Sequence, residues 1–228
     1  MVVSNDRALI DRIRARVQRL PLVSIQRLFR VALSGLLVNA STWPPVFSSL
    51  VHPLIKGQFN AVNRQLDPEA HATRRSEMPE EYLGQMRPWQ IDLASVQLQR
   101  VEEDSRIRIV HAMRYHSGLD GLPGVLMPSP SNDGSNIYTY FPIQIRDREN
   151  FLRYAIANGR DIAAQHLRNC TDLAEFREFY RDCPNARRAA SELVLLPTYP
   201  AYPLSEVERN VEAIRRYLRP KPQSIQKR

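Results

Sequence analysis

Met1-Val2-Val3-Ser4-Asn5-Asp6-Arg7-Ala8-Leu9-Ile10-Asp11-Arg12-Ile13-Arg14 opens the chain, and the reading of the rest depends on it. The first three residues read as strand, and Ser4, Asn5 and Asp6 carry the side-chain oxygens that cap a helix. Leu9, Ile10, Ile13 and Val17 then fall on one helical stripe. A buried strand needs partners already in place, so a strand at the first residue predicts that further chain precedes it. Taken alone, Val2-Val3 reads as an edge strand.

Outward from this start, Ile25, Leu28, Phe29, Ala32, Leu33, Leu36 and Leu37 recur at helical spacing with Arg16, Arg19, Arg27 and Arg30 nearby. This predicts a basic amphipathic helix, broken by Trp43-Pro44-Pro45 and followed by a short apolar segment, 46–55, and a polar loop, 58–79. Its apolar run is well short of the roughly 20 residues needed to span a bilayer. Two readings stand: a helical hairpin packed on the protein's own core or on a dimer partner, or docking of 21–55 on a membrane surface. A long helix is expected from Pro88 or Trp89 through Tyr115, ended by Ser117-Gly118 and Gly121-Leu122-Pro123-Gly124. Beyond it a small α+β module is legible. Phe141, Ile143 and Ile145 alternate as a strand; Glu149 to Ala157 is a helix stopped by Asn158-Gly159; Leu193 to Leu196 is a buried strand closed by Pro197. Ser205-Glu206-Val207-Glu208 reads as a capping box for a last helix with Val207, Val211, Ile214 and Leu218 on one stripe, and the tail from Pro220 is basic.

With 228 residues, 43% hydrophobic and 25% charged, the chain fits one or two ordinary globular domains and excludes a disordered or collagen-like protein. A formal charge of +8 raises nucleic acid or anionic lipid as partners. Yet only Lys56, Lys221 and Lys227 of the 32 basic residues are lysine, and the arginines are scattered among 24 acids. That is the usage of a GC-rich genome rather than a nucleic-acid footprint, so nucleic acid is not expected. Cys170 and Cys183 are too few for a disulfide framework, and no leader-like segment opens the chain. A cytoplasmic protein with optional peripheral membrane contact is expected, and the sequons at Asn39 and Asn169 then carry no weight.

Catalytic signals are sparse. There is no glycine-rich phosphate loop, no Cys-x-x-Cys and no histidine cluster with metal-ligand spacing. His111 and His116 lie about 140° apart around one helix and would not share a ligand. His166, after the strand-like Ile162-Ala163-Ala164, is the better candidate for touching a substrate.

The opening stretch 1–14 resembles the segment that follows the active-site lysine in the DegT/DnrJ/EryC1/StrS family of pyridoxal-phosphate-dependent sugar aminotransferases. Met86-Arg87-Pro88-Trp89-Gln90-Ile91-Asp92-Leu93-Ala94 is similar to that family's Asn-Tyr-Arg-Met helix start, and Gly121-Leu122-Pro123-Gly124-Val125 to its entry into the small domain. Leu195-Leu196-Pro197-Thr198-Tyr199-Pro200, with the helix from Glu206 to Ile214, is similar to its C-terminal end. Four motifs occur in the family's order, and the segment from about 21 to 80 reads as an insertion.

The resemblance implies an α/β protein, the C-terminal part of a fold-type I transferase with a helical insertion. The implied divisions are 1–20, the end of the large cofactor-binding domain; 21–84, the insertion and loop; 85–118, a long linking helix; 119–220, the small α+β domain; and 221–228, a basic tail. It implies pyridoxal phosphate as cofactor, a nucleotide-linked keto-sugar as substrate, an amino donor such as glutamate, and a homodimer. The family's phosphate-binding turn, ring-stacking aromatic, ring-nitrogen Asp and Schiff-base Lys match nothing in this chain, so no catalytic residue and no metal ligand is assigned. Gln85 stands where the family's Asn reaches the cofactor phosphate of the neighbouring subunit; Arg87 matches the motif arginine; His166 falls near the loop that approaches substrate. Met86 and Pro88 depart from the motif. Two expectations follow: the C-terminal portion of a sugar aminotransferase, inactive by itself, whose assigned start is an internal methionine; or a non-catalytic dimerisation or membrane-docking module derived from the family.

Overall fold

A computed structural model describes residues 4–51, 53–54, 77–79, 82–129, 135–160, 162–164 and 169–219. They divide into two compact units, one containing 4–54 and 77–100, the other 101–219. The expected strand at 1–3, most of the loop at 58–79 and the tail from Pro220 lie outside the described residues.

In the first unit α1 spans Arg7–Val17, and Asp6 caps it by accepting the Leu9 N–H at 3.0 Å. A capping carboxylate also suits the positive end of the helix dipole. The chain then turns into a short extended run in which Leu22 bridges Gln85 in parallel. The second helix, α2, spans Ile25–Thr42 and ends where Trp43 leaves the helical region (ψ 126°) ahead of Pro44 and Pro45. A single turn, Pro44–Val46, and a π-helical turn, Phe47–Val51, follow. α2 buries no residue, which overturns the hairpin packed on the protein's own core. The reason is on the helix itself, since neither α1 nor α3 (Pro88–Leu98) offers a buried face for it to join.

The long helix expected from residue 88 to 118 is two helices. Gln99 and Arg100 form a turn, and α4 restarts at Val101–Leu119. Glu102, Glu103 and Asp104 fill the first turn of α4, the charge a helix N-terminus prefers, whereas no acid opens α3. The compact unit that holds the sheet therefore begins at Val101, within the stretch read as a linking helix.

The second unit is an α+β sandwich on three antiparallel strands in the order β1-β3-β2: β1 Tyr140–Gln144, β2 Ala163–Ala164 and β3 Leu193–Pro197. Phe141 pairs with Leu196 and Ile143 with Val194. That register puts the apolar members of β1 and β3 on one face, where all four are buried. α5 (Arg148–Ala157) stops at Asn158, and Gly159 takes a left-handed φ of 66°, as its position after a helix requires. α6 (Pro184–Glu192) runs directly into β3. Arg148 donates to Ala190 O at 2.6 Å and Leu193 O at 3.3 Å, satisfying carbonyls at the end of α6 with a cation. α7 (Leu204–Leu218) closes the unit with Val207, Val211 and Ile214 buried, as its stripe predicts.

Two details of α7 differ from expectation. The helix starts at Leu204 behind Pro203 with no side-chain cap, so Ser205–Glu208 is not a capping box. The Glu208 carboxylate that such a box would use is engaged elsewhere, accepting from Arg114 at 2.7 Å, and Glu206 accepts from Arg160 at 2.8 Å and from Arg209 at 2.5 Å. α4 and α7 also cross closely: a Cβ on Gly118 would stand 2.7 and 2.9 Å from the two γ-methyls of Val211. Only a residue without a side chain fits there.

Candidate functional site

Gln85 and Arg87 precede α3 and reach the same extended run, 18–23. The Gln85 backbone N–H donates to Pro21 O at 2.8 Å, and its carbonyl accepts from Val23 N–H at 3.0 Å. Its side-chain Nε2 donates to Gln18 O at 3.0 Å and also to Leu20 O. Both amide hydrogens are thus used on carbonyls at the end of α1, which are otherwise orphaned. Gly84 permits this approach, because a Cβ there would lie 2.9 Å from a Val23 methyl. Arg87 donates through Nε to Val23 O at 2.8 Å, while Gln90 Oε1 accepts from the Arg87 backbone N–H at 2.9 Å and closes the start of α3. Having spent Nε, the half-buried guanidinium keeps its two Nη groups for a planar anion, the geometry in which arginine binds carboxylate or phosphate.

The structure brings Gln85 and Arg87 together on one segment. His166, Lys56, Lys221 and Lys227 lie outside the described residues. His111 is buried in α4 with its Nδ1 3.2 Å from Thr198 O, a packing role. Cys170 and Cys183 are free thiols. Among the described residues no three His, Cys, Asp or Glu side chains could share a metal ion.

The second unit holds a polar spine that sequence reasoning missed. Asn210 is fully buried on α7 and donates to both Tyr115 Oη and Tyr202 Oη at 3.0 Å; Thr198, also fully buried, donates to Tyr138 O at 2.6 Å and contacts Thr139 O at 2.9 Å. The signal was present: Asn210 falls on the stripe of Val207, Val211 and Ile214. On the outside of the same helix pair, a groove is lined by Arg114, Gly118, Glu208, Val211, Glu212 and Arg215. Arg114 is paired with Glu208 at 2.7 Å, and Arg215 donates to Gly118 O at 2.7 Å. With two carboxylates lining it and its guanidiniums engaged, this groove does not suit a phosphate. A phosphorylated pyridine cofactor needs an amine, a phosphate cradle and a partner for the ring nitrogen. The described residues offer only the anion-binding capacity of Arg87 and do not compose that site.

The comparisons with known proteins decide the family. A family model described as the DegT/DnrJ/EryC1/StrS aminotransferase family matches residues 70–215. The chain belongs to that family. A dTDP-3-amino-3,6-dideoxy-alpha-D-galactopyranose transaminase of Aneurinibacillus thermoaerophilus is 25% identical over 129 residues, covering 56% of this chain and 35% of the relative. Among solved structures, S. venezuelae DesV in complex with a ketimine intermediate superposes with a TM-score of 0.54 at 20% identity, over 71% of this chain and 45% of DesV. The aminotransferase TlmJ from Streptoalloteichus hindustanus gives 0.52 at 25% identity over the same shares of the two chains. The aminotransferase fold and family expected from the motifs are therefore present. The chain spans 35% to 45% of the length of these relatives.

Proposed function

We propose that this chain is the C-terminal portion of a pyridoxal-phosphate-dependent aminotransferase that moves an amino group from a donor such as glutamate to a nucleotide-linked keto-sugar, as a homodimer. The observation that carries this reading is the family match over residues 70–215, in a chain spanning less than half the length of the structural relatives. The nucleotide-sugar substrate is supported by the name of the curated relative, a dTDP-amino-sugar transaminase.

Transamination of this kind needs an amine that forms the Schiff base with the cofactor and then shuttles a proton. In this proposal that amine lies in residues that the 228-residue chain does not contain. What the chain contributes is positioning and anion recognition. Gln85 holds 18–23 against the start of α3, and Arg87 presents its guanidinium to a phosphate or carboxylate. His166 approaches the sugar, a role that rests on the family resemblance alone.

Absorbance of the purified chain with pyridoxal phosphate, followed by borohydride trapping and peptide mapping, tests this. The expected result is no aldimine band and no trapped lysine for the 228-residue chain. An extended polypeptide translated from the upstream reading frame should trap one lysine outside Lys56, Lys221 and Lys227. A stable band trapped on any of those three lysines would overturn the proposal and name the catalytic residue.

A further inference from the structure

Residues 12–66 hold eight Lys and Arg and not one Asp or Glu, so the chain's whole formal charge of +8 resides in this stretch. Within it, α2 is two-faced. At 100° per residue Ile25, Phe29, Leu33 and Leu36 form the dominant apolar side, and Arg27, Arg30, Ser34 and Ser41 lie opposite, flanked by Val31, Leu37 and Val38. The apolar side is open: Ile25 is 64%, Phe29 68% and Leu36 66% exposed. The exposed apolar surface continues past the helix through Trp43, Leu50 and Leu54. An 18-residue helix with no buried residue gains little from packing, and isolated helices of such length are marginal in water. A surface outside the described residues is needed to complete it.

We propose that α2 and the apolar turn after it lie in the plane of an anionic lipid bilayer, with Phe29, Leu33, Leu36 and Trp43 in the acyl boundary and the surrounding arginines on the headgroups. Three observations select this occupant. The helix lies outside the family match, which covers residues 70–215, so no family pattern accounts for its exposed apolar side. A second copy would set an acid-free cationic stretch against itself, which is repulsive. No helix among the described residues is long and apolar enough to cross a membrane, and an amphipathic cationic helix of this length lies on the surface instead. This inference is independent of the proposed transaminase activity.

Flotation of the full chain with phosphatidylcholine vesicles, with and without phosphatidylglycerol, tests it. Binding is expected to need phosphatidylglycerol and to weaken as salt is raised. A Phe29→Ser/Leu36→Ser variant should bind at least about tenfold more weakly. An Arg27→Gln/Arg30→Gln variant, which keeps the apolar face, should bind about thirtyfold more weakly, at about fivefold per cation. In a Trp89→Phe background Trp43 is the only tryptophan, and its emission should shift to the blue with anionic vesicles alone. Equal binding to neutral and anionic vesicles, unchanged binding of both variants, or a dimer that buries α2 and ignores vesicles would each overturn the proposal. So would capture of α2 by an acidic protein in preference to lipid.

Discussion

Replacing Asn210 by alanine probes the buried spine directly. The substitution removes two hydrogen bonds of 3.0 Å, to Tyr115 Oη and Tyr202 Oη, from a residue with no exposed surface. At about 1 kcal/mol net for each bond, with up to about 1 kcal/mol more for the void left by the amide, the loss is about 2–3 kcal/mol. Asn210 Oδ1 has no hydrogen-bond partner, so the native side chain already bears one unsatisfied acceptor, and its removal offsets part of the loss. A whole-chain melt would mix two compact units, so the readout is native-state hydrogen exchange of the β3 amides, which report the second unit alone. Each 1.4 kcal/mol is a factor of ten, so exchange of β3 should accelerate by about thirtyfold to about 150-fold. Tyr202→Phe, which removes one of the two bonds, should accelerate it by about fivefold. The double variant should fall short of the sum, because the two changes share a bond. Exchange within about twofold of wild type in Asn210→Ala would refute the view that these bonds, which tie α7 to α4 and to the turn after β3, stabilise the second unit.

Gly118→Ala sets about 1 kcal/mol of gained helix propensity against a methyl placed within 3 Å of both Val211 γ-carbons. Val211 is β-branched on a packed helix and cannot swing away, so net destabilisation of about 1 kcal/mol is expected in exchange of the β3 amides; Gly118→Ala should cost less in a Val211→Ala background than in wild type, and an equal cost would refute the contact. Arg87→Ala deletes the Val23 O contact and should raise exchange of the amides in 18–23 by about tenfold while leaving β3 unchanged. The Arg187 hydrogen bonds hold the Asp172 carboxyl below its ordinary range. A lowered folded-state value means a contribution that is present above the ordinary carboxylate pKa and is lost as pH falls through the folded one. Attachment of the 170–179 turns to α6 should therefore loosen only in acid, below the ordinary carboxylate range. Asp172→Asn should abolish that pH dependence, measured by exchange of the Cys170–Asp172 amides across an acid series.

What the sequence discloses and what it hides divide along the range of the interactions. β1, α5, β3 and α7 are legible because alternation at Phe141 and Ile143, the Asn158-Gly159 stop and the stripe of Val207, Val211 and Ile214 are local patterns with one solution each. The break at Gln99-Arg100 is a matter of charge rather than periodicity. The apolar spacing runs on through it, and only the acids at 102–104 mark a new N-terminus. Gln85 and Arg87 are found by motif, but what they hold is not. Their acceptors are the carbonyls of Gln18, Leu20 and Val23, some 65 residues away, and the backbone leaves no trace in side-chain pattern. The Ser205–Glu208 box misleads for a related reason: Arg114, remote in sequence, takes the Glu208 carboxylate that a local cap would need.

Two helices of the first unit expose apolar surface, and they differ in a way that predicts different covers. On α2 Ile25, Phe29, Leu33 and Leu36 line one side, and the side that carries Arg30 and Ser34 also exposes Val31, Leu37 and Val38. On α3, Trp89, Ile91, Leu93, Val96 and Leu98 are all about half exposed and spread around the axis. A helix with apolar residues on two opposite faces, as α3 has, is suited to enclosure by protein, whereas a cationic helix with one dominant apolar face suits an interface between water and lipid. The family match agrees with this division, since α3 lies within 70–215 and α2 does not. In the longer polypeptide proposed above, the part of the family fold beyond this chain would cover α3. Backbone exchange should then separate the two helices. The extended polypeptide translated from the upstream frame should protect the amides of α3 and leave α2 unchanged. Anionic vesicles should protect α2 and leave α3 unchanged. Protection of both helices by the same agent would show that they form one interface, and the assignment of α2 to lipid would fall with it.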